Sequence, residues 1–245
     1  MQAGETDGVA VTATGLELRG TRGVVFEDIG LRAEPGSLIV VDGPSGSGRT
    51  ALLLALTGRM KPTSGTAEVG GHRLPRHSAA VRRLSALGPV PGITDPEPSH
   101  SIGEQLRERT LLLRRFDGPL RALLAPPARR AAATREQEEA ALSAAGLEPD
   151  TLPRGTRTAF RDLSRPEAFR LGVALALLGR PRLLAVDDIG FKLTTAEEAG
   201  VWELLASVAA TGTTVLAVGE PPPAGDLGDV PLVTLRTAER TKTAV

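Results

Sequence analysis

The stretch Val40-Val41-Asp42-Gly43-Pro44-Ser45-Gly46-Ser47-Gly48-Arg49-Thr50 restricts the possible folds more than any other part of this sequence. The apolar run Leu38 to Val41 reads as a buried strand, and Ala51 to Leu56 as an apolar helix. Between them, Gly43, four residues, Gly48, a basic residue and Thr50 fit the phosphate-loop pattern G-x-x-x-x-G-K-[ST] at every position but the lysine. Glycines let the backbone curl so that successive N–H groups face phosphate oxygens, and the N-terminus of the following helix adds partial positive charge there. The candidate nucleotide-binding residues are Gly43, Pro44, Ser45, Gly46, Ser47, Gly48, Arg49 and Thr50, with the Thr50 hydroxyl also suited to Mg²⁺.

Arg49 stands where the pattern has lysine. Lysine is a compact charge on a flexible stem; arginine is a larger planar fork that still grips phosphate, even bidentately. The chain uses lysine only at Lys61, Lys192 and Lys242, so general replacement of lysine by arginine also accounts for the swap. Phosphate binding is the expectation, with hydrolysis left open.

A second motif follows far downstream. Arg182-Leu183-Leu184-Ala185-Val186-Asp187-Asp188 reads as a buried strand ending in carboxylates. Asp187 suits a magnesium ion held beside phosphates, and Asp188 stands where a general base polarises the attacking water. A solvated loop carboxylate is the other reading of Asp188.

The 245 residues suffice for one large α/β domain or a core with a small subdomain. Lys+Arg and Asp+Glu both number 29, so net charge is zero, which argues against a nucleic-acid partner held by general attraction. No cysteine is present, excluding disulfides, thiolate metal sites and a cysteine nucleophile. His72, His77 and His100 lack ligand spacing and read as solvated. Met1 to Gly8 has no secretory-signal core, and no apolar run spans a bilayer. The expectation is a cytoplasmic chain that reaches a membrane through a partner.

Strands are expected at Val9 to Leu18, Val24 to Leu31, Thr66 to Val69, Leu183 to Asp187, Thr214 to Val218 and Pro231 to Leu235. Helices are expected at Ser101 to Arg115, Ala131 to Ala145, Arg165 to Leu178 and Thr195 to Ala209. Leu120 to Arg130 stays ambiguous, and Thr237 to Val245 reads as a fraying polar tail.

From Val11 to Leu235 the wording resembles the ATP-binding subunit of ABC transporters. Glu34-Pro35-Gly36 before the loop, Leu56-Thr57-Gly58 and Pro62-Thr63-Ser64-Gly65-Thr66 after it, and Leu163-Ser164-Arg165-Pro166-Glu167 carry the likeness. So do Gly179-Arg180-Pro181-Arg182-Leu183-Leu184 and Val201-Trp202-Glu203-Leu204-Leu205. The resemblance implies an α/β P-loop NTPase (RecA-like) core with an antiparallel β subdomain and a helical subdomain. It divides one domain, 1–245, into a core at about 9–98 and 166–236, a helical part at about 99–165 and a tail at 237–245. It further implies ATP and Mg²⁺ as cofactors, a membrane-spanning transporter subunit as partner, and a homo- or heterodimer that sandwiches two nucleotides.

Several family positions are altered. The signature LSGGQ reads Leu163-Ser164-Arg165-Pro166-Glu167; Pro166 lacks an N–H, and Glu167 puts a carboxylate where phosphate should dock. Ser164 remains the one polar nucleotide contact carried over. Gly92 takes the Q-loop position, Glu220 the switch-histidine position, and Asp188 the catalytic glutamate position, one methylene short. The D-loop reads Phe191-Lys192-Leu193-Thr194, and no aromatic residue near Thr21 or Arg22 can stack on adenine. Loss of one positioned catalytic group lowers rates about 10²–10³-fold, so slow or absent hydrolysis is expected. The alternative is a non-hydrolysing structural or regulatory partner of a membrane protein.

Overall fold

The computed structural model describes residues 8–21, 23–117, 126–222 and 227–237, apart from the side chains of 115–117 and 127. Arg22, residues 120–125 and the tail beyond Thr237 lie outside the described residues. The chain divides into two compact units, Met1–Leu87 with Pro181–Val245, and Gly88–Arg180.

The first unit holds two sheets. β1 (Val11–Gly20) and β2 (Gly23–Ala33) pair antiparallel, with Gly20 opposite Gly23. β1 also pairs with β4 (Ser64–Val69), which turns at Gly70-Gly71 into β5 (His72–Leu74), giving the order β2-β1-β4-β5. Alternation of buried and exposed side chains along β1 marks a sheet with one covered face.

The other sheet is parallel throughout, with the order β6-β7-β8-β3-β9. Its strands are β3 (Leu38–Asp42), β6 (Ser85–Leu87), β7 (Leu183–Val186), β8 (Thr214–Val218) and β9 (Leu232–Arg236). Leu38 to Val41, Leu183 to Val186 and Val215 to Ala217 are wholly buried. Continuous apolar runs of this kind suit strands covered on both faces. The helices of this unit are α1 (Arg49–Leu56), α2 (Ser78–Leu84) and, after α3 to α5 of the second unit, α6 (Thr195–Ala210). Leu52, Leu53 and Leu56 of α1 and Trp202 and Leu205 of α6 are buried in this core. β3 runs between β8 and β9, so the loop after it opens at the carboxyl ends of the strands, where α/β sheets bind ligands.

The second unit is helical: α3 (Ile102–Asp117), α4 (Pro127–Ala144) and α5 (Arg165–Leu177). The Pro89 to Pro98 segment is irregular, as its prolines require, and Pro89 lies against Gly172 so closely that a Cβ there would stand 2.7 Å from the Pro89 ring. Gln137 donates to Leu178 O at 2.5 Å, and Arg170 to Gly146 O at 3.2 Å, tying α4 to α5. α4 begins at Pro127, four residues before the expected start, because proline is well suited to the first helical turn. His100 is half-buried: its side chain stays partly exposed, while its Nδ1 is covered 3.7 Å from Glu108.

Thr214, at the start of β8, ties the segment before β1 and the turn before β3 to the parallel sheet. Its hydroxyl accepts from Val9 N and Gly36 N, both at 3.0 Å, and donates to Val9 O at 2.7 Å, with the side chain fully buried. Thr214→Val orphans these backbone groups. It should lower unfolding stability by roughly 2–4 kcal/mol in urea titration, whereas Thr214→Ser should lose about 1 kcal/mol.

Candidate phosphate-binding site

The loop after β3 takes the shape that its glycines permit. Gly48 caps α1 at φ 87°, a left-handed conformation that L side chains rarely adopt, and a side chain there would strike the Val25 carbonyl of β2. Gly43, at φ 147°, lies against Thr237, leaving no room for a Cβ. Gly46, at φ 80°, faces open space. The α1 ladder opens with Leu52 N donating to Gly48 O at 2.8 Å, so the N–H groups of Arg49, Thr50 and Ala51 precede it. No side chain caps them. Pro44, Ser45, Gly46 and Thr50 are exposed, and Gly48 and Arg49 half-buried.

Ser47 is different. Its N–H donates to Pro44 O at 3.2 Å, and its side chain is buried in a 2.6 Å hydrogen bond with Thr237 Oγ1. The Ser47 side chain therefore shapes the loop from behind.

Thr50 and Asp187 come together as the spacing argument requires. Thr50 Oγ1 donates to Asp187 Oδ2 at 2.5 Å across 137 positions, and Asp187 is buried. Its other oxygen accepts from Asp188 N at 2.8 Å. A hydroxyl and a carboxylate are the hard oxygen donors that Mg²⁺ takes, together with water and phosphate oxygens. Among the described residues no cluster of three or more His, Cys, Asp or Glu could hold a metal alone.

Asp188 turns at φ 60° just past β7. Its carboxyl is pushed above the ordinary range, first by partial burial and then by the Asp187 carboxylate, while the Arg49 guanidinium pulls it back down. The charge of Arg49 thus acts on the Asp188 carboxylate. Glu220 follows β8 directly and is exposed. Trp202 on α6 and Ile189 stand against Gly219, so that a Cβ on Gly219 would lie 2.9 Å from Ile189. In the altered D-loop, Lys192 Nζ stands 5.0 Å from the Phe191 ring centroid. Thr194 caps α6 in a reciprocal box with Glu197, whose carboxyl these bonds hold below the ordinary range.

Ser164 belongs to the helical unit, where it caps α5. Ser164 N and Oγ both donate to Glu167 Oε2 at 2.7 Å, and Glu167 N donates back to Ser164 Oγ at 3.5 Å. The carboxylate thus takes the Ser164 hydroxyl proton as well as its amide. Gly92 N donates to Asp95 Oδ2 at 2.8 Å in an exposed turn of the same unit.

The sequence reading missed Asp42, Arg236 and Thr237. Asp42 Oδ1 accepts from Gly43 N at 2.6 Å, and Oδ2 lies 3.3 Å from Arg236 Nε. Thr237 was expected in a fraying tail, yet it is 2 % exposed and donates its N–H to Asp42 O at 2.8 Å. No spacing signals a partner 190 positions from Ser47; only the register of β9 on β3 brings it there.

A parallel sheet with a glycine-rich loop at the end of β3 and a buried acid at the end of β7 defines a P-loop nucleotide-binding fold. The model of the "ABC transporter" family matches residues 26–189, and the chain belongs to that family. The chain is 31% identical over 193 residues to the Nod factor export ATP-binding protein I of Cupriavidus metallidurans, covering 79% of this chain and 57% of that protein. It is 31% identical over 208 residues to the daunorubicin resistance ATP-binding protein DrrA3 of Streptomyces coeruleorubidus, covering 84% and 59%. The chain thus spans under three fifths of the length of these relatives.

The fold is shared with the dimeric cassette MJ0796, a bacterial ABC transporter cassette (TM-score 0.69, 19% identity, 93% of this chain and 94% of that one). It is shared too with cbiO1 of Clostridium perfringens, part of the transporter complex cbiONQ (TM-score 0.70, 16% identity, 94% and 86%). The MJ0796 cassette has also been solved bound to ADP and Pi. Among the described residues no helix is long and apolar enough to cross a membrane.

The raised pKa of Asp188 has a stability consequence. Folding favours its protonated form, so this contribution is complete below the ordinary value of 3.8 and lost as pH rises through the folded-state value. At neutral pH the ionised carboxylate burdens the fold. Asp188→Asn, with a side chain that tolerates the left-handed backbone, should raise the thermal midpoint at neutral pH. The gain should shrink as pH falls below the carboxylate range.

Proposed function

We propose that this chain is the ATP-binding part of an ABC-type membrane transporter, holding ATP with Mg²⁺ at the loop between β3 and α1 and turning it over slowly. The observation that carries this reading is the Thr50–Asp187 hydrogen bond beneath a glycine-shaped loop whose leading helical amides precede the α1 ladder. Family membership supports ATP as the nucleotide. The ATP-binding proteins among its relatives serve export and drug resistance, and a dimeric cassette shares its fold.

In this reading the amides of Gly46, Gly48, Arg49 and Thr50 receive phosphate oxygens, and Pro44, Ser45 and Gly43 set the curve of the loop. The Arg49 guanidinium adds positive charge and Ser47 braces the loop from behind. Thr50 and Asp187 hold Mg²⁺, which when bound offsets the charge of the phosphates. Asp188 orients the attacking water from a side chain one methylene shorter than the family's glutamate.

Ser164 would contact the nucleotide held by an opposing copy or a related subunit. Its hydroxyl must first leave Glu167, and that carboxylate repels phosphate. Each alteration lowers turnover, and together they leave little, even with sub-additive losses. The unit 88–180 would meet a membrane-spanning subunit, and the chain would work at the inner face of the cell membrane through that partner.

Titration of the purified chain with a fluorescent ATP analogue, with and without Mg²⁺, tests the reading. Saturable binding below millimolar nucleotide, strengthened by Mg²⁺, is expected. No saturation at millimolar nucleotide contradicts it.

A further inference from the structure

The phosphate loop is braced from below by a residue outside every motif. β9 pairs in parallel with β3 up to the couple Asp42–Arg236, so the next residue, Thr237, is delivered beneath the first turn of the loop. There Thr237 makes three hydrogen bonds. Its N–H donates to Asp42 O at 2.8 Å, its hydroxyl donates to Asp42 O at 3.1 Å, and its oxygen meets Ser47 Oγ at 2.6 Å. With the Thr237 proton on the Asp42 carbonyl, the Ser47 hydroxyl becomes the donor to Thr237, and both groups are satisfied. Thr237 is 2 % and Ser47 1 % exposed, so water reaches neither. A Cβ on Gly43 would stand 2.8 Å from Thr237 O and 3.1 Å from Ser47 Oγ, so the two ends of the loop close directly on this residue.

We infer that Thr237 is a positioning residue for phosphate binding: its buried hydroxyl holds Ser47, and through Ser47 the curl that aims the loop's amides. This rests on the reading of the loop as the nucleotide site. Ser47 sits between Gly46 and Gly48, both left-handed. Two glycines leave that segment many conformations, so an internal anchor decides which one dominates. The ion pair of Asp42 with Arg236 is a weaker fastening, because the Arg236 side chain is 83% exposed. The loop's working shape thus depends on the strand at the far end of the sequence.

The test uses Thr237→Val, which keeps the shape and removes the hydroxyl. Left unpaired, the buried Ser47 hydroxyl favours loop conformations in which it finds water, because a buried polar group without a partner is destabilising. The measurement is the dissociation constant of Mg·ATP and, by competition, of inorganic tripolyphosphate, each at a temperature where circular dichroism shows a folded chain. Both ligands should bind about tenfold more weakly to Thr237→Val, by the same factor. Thr237→Ser should restore binding, and adding Ser47→Ala to Thr237→Val should weaken it little further. A merely structural role would move the unfolding midpoint and leave both constants unchanged, and that result overturns the inference. Should Thr237→Val not fold, Ser47→Ala removes the same bond from the other side, and unchanged tripolyphosphate affinity overturns the inference equally. If the unaltered chain binds neither ligand, the nucleotide reading itself fails and takes this inference with it.

Discussion

A hydroxyl on the first turn of α1 donates to a carboxylate at the end of β7, and the geometry of the whole site follows from that Thr50–Asp187 bond. It requires β3 and β7 to run in parallel with their carboxyl ends level, and β8 between them sets that alignment. It requires α1 to leave its loop at one angle, which the left-handed turn at Gly48 supplies. It also keeps a buried Asp187 from standing unpaired, which would be costly in a core made of Leu183 to Val186 and Val215 to Val218. Sheet, loop and acid are therefore one device.

The departures from the family's wording have a common physical theme: side chains that would meet a nucleotide or a partner are occupied within the chain. Glu167 takes both donors of Ser164, Thr194 caps α6 in place of a free D-loop carboxylate, and Arg49 lies within electrostatic reach of Asp188. Capping boxes stabilise helix ends by about 1 kcal/mol, so Ser164 and Thr194 each add local order at the start of a helix.

Much of this was legible in the sequence, for identifiable reasons. Buried parallel strands such as β3, β7 and β8 declare themselves as unbroken apolar runs, and Gly43, Gly48 and Thr50 have a spacing that few other structures need. Glycines and prolines marked most boundaries, including Gly20 to Gly23, Gly58 and Gly146. The bracing of the loop was not legible. Thr237 looks like any polar residue ahead of a terminal segment, and its burial depends on the register of β9 against β3, a long-range pairing with no local signal. Ser47 likewise reads as one more phosphate contact until its hydroxyl is seen bonded inward.

The central claim is that the loop amides of Gly46, Gly48, Arg49 and Thr50 remain open to a triphosphate with arginine in the lysine position. A crystal structure of the chain grown with Mg·ATP measures this most directly. The account predicts phosphate oxygens within hydrogen-bond distance of those amides, with the Arg49 side chain alongside the phosphates. A loop hollow filled by the Arg49 guanidinium, with nucleotide excluded, would contradict it.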